Sequence, residues 1–140
     1  MARTLLFPSE HKYADNRRGI VVPVLLSTGY MEIELFATVD TGAERCAFER
    51  RHGELLGLDV EMGRPQRMET ATGGFDTFEH LLTIETFDIR CESTVLFASD
   101  EGFSGNVIGR RGWLDRVQLG LIDYEQCLVI GPYDGGFPLH

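Results

Sequence analysis

Cysteine, histidine and positive charge are scarce in this chain, and each shortage narrows what the chain can be. Its three cysteines, Cys46, Cys91 and Cys127, are widely separated and form no Cys-x-x-Cys pair. An odd number at such spacing argues against a disulfide framework or a zinc site, so buried reduced thiols are expected. The four histidines, at positions 11, 52, 80 and 140, also lack metal-ligand spacing and are expected at the surface. We therefore expect neither a metal nor a cofactor.

The charge balance and the absence of long apolar runs exclude further classes. Lys and Arg number 13 against 22 Asp and Glu, a net charge of −9. Such a surface repels nucleic acid and anionic membranes, so neither is an expected partner. No apolar run is long enough for a signal peptide at the N-terminus or for a transmembrane span. A cytoplasmic location follows as the expectation.

The length of the chain predicts one domain. The 140 residues, 43% of them hydrophobic, suffice for one core, and no internal repeat is visible. Residues 1–19 are polar for much of their length and are expected to form a lead-in loop or mobile arm. Residues 20–131 are expected to form the domain, and residues 132–140 a frayed C-terminal tail.

Most of the domain has the patterns of β-structure. Short apolar runs separated by turn residues predict strands, including one with Pro23 that suits a sheet edge. Gly73 and Gly74 lie between two strand-like arms, as in a hairpin. Only two short helices are expected, over residues 49–56 and 110–116. The predicted class is mainly β.

The most informative segment is a strand that ends in Asp40-Thr41-Gly42-Ala43. Apolar side chains recur at every second position from Met31 to Val39, the period of a half-buried strand. A carboxylate carried by such a strand into a tight turn is expected at a buried position, where an unpaired charge is costly unless it has chemistry to do. The same triplet is also an ordinary strand exit, with Asp bonding the following backbone and Gly supplying a positive φ. Alone, the triplet leaves both interpretations open.

Two further segments favour the chemical interpretation. Ala71-Thr72-Gly73-Gly74-Phe75 follows the Asp40 turn, and Asn106-Val107-Ile108-Gly109-Arg110 comes later. In this order and spacing, the three segments resemble the retropepsin-like aspartic proteases, the single-domain homodimeric relatives of pepsin. The resemblance covers about residues 20–131, most of the chain. It implies an acid protease barrel whose active site is closed by a homodimer.

The activity implied by the resemblance is aspartic endopeptidase chemistry on peptides or proteins. Two carboxylates close together cannot both ionise, so they share a proton and activate a water molecule. The chain has one Asp-Thr-Gly triplet. The second catalytic Asp40 must therefore come from a second copy of the chain.

The resemblance also implies roles for the neighbouring residues. Thr41 braces the two active-site loops, Gly42 allows the substrate backbone to approach, and Gly109 allows chain segments to cross. Substrate is expected to contact pocket and flap residues, namely Ala43, Gly73, Gly74, Val107 and Ile108. Glu44 and Arg110 are expected to form a structural ion pair. Arg45 is expected at the pocket rim, where it reaches a substrate acid.

Several alternatives remain at this point. Thr41 also suits a plain turn, the flap glycines an ordinary hairpin, and Val107 and Ile108 simple core packing. The whole fold also suits a non-catalytic peptide-binding or dimerisation module. Cys46 lies close to Asp40 in sequence, but nothing in the sequence places a histidine beside it as a base.

Overall fold

The computed structural model describes residues 1–133. Within them, ten strands are joined by one short α-helix, α1 (Arg50–Leu55), and by three short 3₁₀ turns at Val60–Met62, Leu114–Arg116 and Asp123–Glu125. The strands are β1 (Ser9–Lys12), β2 (Val21–Ser27), β3 (Glu32–Val39), β4 (Ala47–Phe48), β5 (Arg64–Thr70), β6 (Gly73–Thr86), β7 (Ile89–Ala98), β8 (Val107–Ile108), β9 (Val117–Ile122) and β10 (Cys127–Pro132). The prediction of a mainly β fold is confirmed.

The larger sheet closes on itself. Its strand order is β2-β3-β8-β4-β7-β6-β5, and a further pairing between β2 and β6 joins the ends of the first six strands. That second pairing involves only Leu25–Ser27 of β2. Pro23 therefore lies where β2 is paired only with β3, as its missing N–H requires. The smaller sheet has the order β1-β10-β9.

The core lies inside the closed sheet and follows the two-residue period of the strands. Along β3, Leu35 and Ala37 are buried, whereas Glu34 and Phe36, which alternate with them, are exposed. The largest fully buried side chain is Trp113, whose indole N–H donates to Thr86 Oγ1 at 2.9 Å. That hydrogen bond satisfies a polar group that would otherwise be costly to bury.

The lead-in expected over residues 1–19 contains ordered structure, in contrast to the loop or mobile arm that its composition predicts. β1 pairs along β10 from Ser9 to Lys12. Tyr13 is buried, and its hydroxyl donates to Asp123 at 2.6 Å, which raises the pKa of Tyr13 to about 12. β1 is polar because it lies at the edge of the smaller sheet. An edge strand of this kind has a composition similar to that of a loop, which explains the wrong expectation.

The two predicted helices differ in outcome. α1 is confirmed, and Gly53 within it packs so closely on Phe97 that a Cβ there would lie 3.1 Å from the ring. The helix predicted over residues 110–116 is wrong, because only Leu114–Arg116 forms a 3₁₀ turn. Gly112 at φ +97° interrupts the helical path just before the buried Trp113.

The domain boundaries at residues 19 and 131 stay predictions. Residues 134–140, most of the expected tail, lie outside the described residues. Over residues 1–133, no helix combines the length and apolar character needed to cross a membrane.

Candidate active site

The Asp40 turn is held by backbone hydrogen bonds from both sides. The Asp40 N–H donates to Ile108 O at 3.0 Å, and the Ala43 N–H donates back to Asp40 O at 3.2 Å. The Gly42 N–H donates to Asp40 Oδ1 at 2.9 Å. One carboxylate oxygen is thereby oriented by the turn itself.

The expected burial of Asp40 and the expected φ of Gly42 are both wrong for the single chain. Asp40 is exposed, because the turn lies beyond Val39, the last residue of β3. Gly42 is not among the residues with a positive φ. Its lack of a side chain matters for a different reason, since a Cβ there would lie 3.3 Å from Asp40 Oδ1.

Gly109 is the point where β8 crosses behind the turn. A Cβ on it would lie 2.5 Å from Arg45 O and 2.6 Å from Ala43 O, closer than any side chain tolerates. The chain then continues alongside the turn, with the Arg110 N–H donating to Ala43 O at 2.9 Å. A glycine is required here by a backbone crossing.

A cleft of about 520 Å³ opens over the turn, beneath the β5–β6 hairpin. Of the predicted site residues, Asp40, Gly42, Ala43 and Val107 line it. The remaining lining residues are Ala47, Met68, Glu69, Thr70, Ala71, Phe75 and Phe103, which our sequence analysis did not assign to the site. The alternation of β5, in which Met68 is partly buried between exposed neighbours, is the signal that would have found that residue.

The β5–β6 hairpin contributes residues to the cleft lining, but its tip differs from the predicted one. Thr70 pairs with Gly73, so Ala71 and Thr72 form the turn. Gly73 and Gly74 begin β6 and do not line the cleft. A Cβ on Gly74 would lie 2.7 Å from the Glu69 carboxylate, so this glycine makes room for a side chain of the opposite strand.

An aromatic contact lies in the lining of the cleft. The rings of Phe75, on β6, and Phe103, on the loop before β8, are stacked with centroids 4.2 Å apart. This contact joins the hairpin to the loop in the single chain and is worth about 1 kcal/mol beyond the area it buries.

Two other predicted site residues lie apart from the cleft lining. Ile108 is fully buried in the core, because it follows Val107 on a strand and points to the opposite face. Its contribution to the site is its carbonyl, which accepts from Asp40. Thr41 is exposed beside Asp40.

The predicted ion pair of Glu44 with Arg110 is replaced by another. Glu44 Oε1 lies 3.2 Å from Arg111 Nε, and both side chains are largely exposed. The Arg111 N–H donates to Glu44 O at 2.8 Å, which brings Arg111 rather than its neighbour alongside Glu44. Arg45, expected to reach a substrate acid, instead binds Glu79 at 2.7 Å.

The alternative of a cysteine nucleophile finds no support in the geometry. Cys46 is fully buried, and burial raises the pKa of its thiol to about 12. Its sulfur accepts from the Gly109 N–H at 3.4 Å, behind the Asp40 turn. A protonated thiol in this position serves packing, not attack. All three cysteines are buried free thiols, as predicted.

The expectation of surface histidines is wrong for His52, which is buried at the C-terminal part of α1. Burial lowers its pKa, and the nearby Arg51 lowers it further. His11 and His80 are half-buried, and position 140 lies outside the described residues. Among residues 1–133, no group of three or more His, Cys, Asp or Glu side chains is arranged to hold a metal ion.

Comparison with known proteins assigns the fold. No protein-family model matches the chain, and no curated protein matches it in sequence. Among solved structures, EIAV protease complexed with the inhibitor HBY-793 matches with a TM-score of 0.54 and 20% identity, over 69% of this chain and 86% of that one. The chain therefore has the retropepsin fold. At this identity the likeness concerns the fold alone.

Proposed function

We propose that this chain is one protomer of a homodimeric aspartic endopeptidase, in which Asp40 from each of two copies forms the catalytic pair. The observation that carries the proposal is the position of Asp40, in a largely apolar cleft beneath a hairpin, on a retropepsin fold. The described part of the chain supplies one such carboxylate to the cleft floor. Two copies related by a two-fold axis would supply both.

The chemistry requires the two carboxylates to act as a unit. Like charges a few ångströms apart cannot both ionise, so the pair holds one proton and titrates with apparent pKa values that belong to the pair. The ionised carboxylate takes a proton from water, which attacks the peptide carbonyl. The protonated carboxyl stabilises the carbonyl oxygen and then protonates the leaving nitrogen.

The surrounding residues fit this role. Gly42 leaves the space above the turn open to a substrate backbone, and Thr41 would brace the two turns across the axis. Ala43 and Val107 offer an apolar surface for a substrate side chain. The β5–β6 hairpin would cover the bound peptide and exclude water. A cytoplasmic location belongs to the same proposal and is consistent with the free thiols.

A peptide-library digest from roughly pH 3 to pH 7 tests the activity, with Asp40→Asn as the control. Asparagine keeps the oxygen that accepts from Gly42, so the turn is preserved while the proton-transfer group is lost. Cleavage by the parent and none by the variant supports the enzyme. Equal cleavage by both would identify a contaminant, and no cleavage by either, with peptide still bound, would favour the non-catalytic binding module.

Mixing the two proteins tests the pairing of Asp40 across chains. If each active site needs one Asp40 from each chain, activity after subunit exchange follows the square of the parent fraction. A linear dependence would show that each chain is active by itself. Light scattering on the same samples reports the mass, and a monomer at every concentration would contradict the proposed pair.

A further inference from the structure

Asn106, the residue before β8, contacts Glu49, Phe36 and His52 through its side chain, and we call this group of contacts the clamp. Asn106 lies in the wall of a second cavity, of about 920 Å³, together with His52 and Glu49. The Asn106 side chain makes contacts with α1 and with β3, whereas its backbone leads directly into Val107 of the cleft. It therefore connects this cavity to the candidate active site.

The orientation of the Asn106 amide follows from its partners. The Glu49 N–H donates to Asn106 Oδ1 at 3.0 Å, so Nδ2 faces the other way. There it donates to Phe36 O at 3.2 Å and lies 3.3 Å from His52 Nε2. Because Nδ2 carries only donors, His52 Nε2 must accept, which requires a neutral imidazole with its proton on Nδ1.

Glu49 holds the neighbouring residue of the same loop. It is the N-cap residue of α1, but its side chain does not cap that helix. Its carboxylate instead accepts from the Gly105 N–H at 2.7 Å and from Arg51 Nε at 2.6 Å. Burial raises the pKa of Glu49, but these two partners outweigh it and hold the pKa below its ordinary value. Residues 105 and 106 are thus both attached to α1.

The clamp is linked to the Asp40 turn through two backbone hydrogen bonds. Asn106 O accepts from the Thr38 N–H at 2.9 Å, and Ile108 O accepts from the Asp40 N–H at 3.0 Å. β8 has only two residues, Val107 and Ile108, which pair with Thr38 and Val39 of β3, and Val107 also pairs with Ala47 of β4. A displacement of Asn106 would move the wall of the cleft and the anchor of Asp40 together.

We propose that Asn106 is a positioning residue for the reaction at Asp40, and that it holds β8 most firmly while His52 is neutral. The positioning role rests on the proposed function, whereas the clamp itself does not. Acidification would break the contact of Asn106 with His52 and loosen the anchor of Asp40.

The charges around His52 set the direction of this response. Burial and Arg51 lower its pKa from the ordinary 6.5, whereas Glu49, with Oε1 3.7 Å from Nε2, raises it. Arg18 and Glu34 line the same cavity from the arm and from β3. Because the folded-state pKa is depressed, the stabilisation by neutral His52 is complete above the unfolded value and is lost as the pH falls through the folded value. Once protonated, Nε2 must donate, and Glu49 Oε1 is the acceptor within reach, in competition with Arg51, whose Nε donates to the same oxygen.

Hydrogen exchange of the Thr38 and Asp40 amides tests the clamp without any need for activity. Between about pH 7.5 and pH 5, their protection factors in the parent should fall about fivefold, the equivalent of one hydrogen bond. His52→Gln, whose amide oxygen accepts at any pH, should abolish the fall. His80→Gln is the matched control and should retain it, because His80 Nε2 contacts Val60 O, outside the clamp. An unchanged fall in His52→Gln would overturn the proposal.

The variant Asn106→Asp provides a more discriminating test, because it should reverse the pH dependence seen in the parent. The new carboxylate still accepts from the Glu49 N–H but cannot donate to neutral His52, whereas it pairs with the protonated imidazole. Protection of the Asp40 amide should therefore rise on acidification, and so should kcat for a peptide substrate, with KM changing less. The same pH response as the parent would contradict the clamp. Absence of cleavage by the parent would defeat the proposed function and leave the exchange result to decide the clamp.

Discussion

The Asp40 turn and the turn at Asp100 are nearly the same local structure in different surroundings. In each, the carboxylate accepts from the N–H of a glycine two residues later, at 2.9 Å for Asp40 and 2.7 Å for Asp100. In each, the N–H three residues later donates to the Asp carbonyl, at 3.2 Å in both cases. Both carboxylates are exposed. The two segments therefore form the same type of turn, with the same two hydrogen bonds.

The two turns differ in the chain segments that contact them and in their position relative to the cleft. Asp40 is anchored to β8 and lines the cleft, whereas Asp100 lies outside the cleft lining on the loop after β7. Gly109 crosses behind the first turn at a distance that excludes any side chain. An Asp-x-Gly turn therefore acquires a candidate catalytic role through its supports and its cleft, and the turn geometry alone does not distinguish the two sites.

The largest expected difference between the two turns is in activity. Asp40→Asn should lower kcat for peptide hydrolysis at least about 100-fold, because a general acid–base group is lost. Asp100→Asn makes the same change in the matched turn and should leave kcat within about twofold. Steady-state kinetics on both variants provide the measurement. Comparable losses in the two would show that the turns matter for folding and that Asp40 has no special chemistry.

The second expected difference is in stability. Gly109→Ala forces a Cβ against two backbone oxygens behind the Asp40 turn and should cost about 3 kcal/mol in free energy of unfolding. Gly102→Ala places a Cβ 3.2 Å from the movable Asp100 carboxylate and should cost about 0.5 kcal/mol or less. Denaturant unfolding of both variants gives the comparison. Similar small losses would mean that the crossing at Gly109 relaxes easily.

The smallest expected effect is at the rim of the Asp40 turn. The Glu44–Arg111 pair is largely exposed, so Glu44→Gln should change the free energy of unfolding by about 0.5 kcal/mol or less. Added salt should reduce even that difference. A loss several times larger would show that the pair supports the turn more than its exposure suggests, and a thermal melt at low and high salt detects it.

The sequence patterns predicted the closed β architecture better than its details. The alternation along β3 and the hairpin arms of β5 and β6 are visible in the sequence, because one face of each strand is buried. The turn between β6 and β7 is not, since Phe87 and Asp88 both adopt a positive φ, at 50° and 67°, without a glycine. Neighbouring strands impose that conformation, and local preference does not reveal it.

Among the residues that line the cleft, the motifs at Asp40 and Val107 found four, whereas most of the hairpin residues and Phe103 were missed. Phe103 belongs to a polar loop, and its stacking on Phe75 depends on two segments distant in sequence. His52 was expected at the surface, because the four histidines lack metal-ligand spacing. Its burial against Asn106 results from the return of a loop some 50 positions later in the chain.

The sequence by itself determined the strand that ends in Asp40, the turn that orients its carboxylate and the mainly β class, because these depend on side-chain period and on contacts within a few residues. Only the tertiary structure decided which of the two turn carboxylates, Asp40 or Asp100, lines the cleft, which arginine pairs with Glu44 and how α1 holds the start of β8. These outcomes depend on distances between segments that chain folding brings together, and no local pattern encodes them.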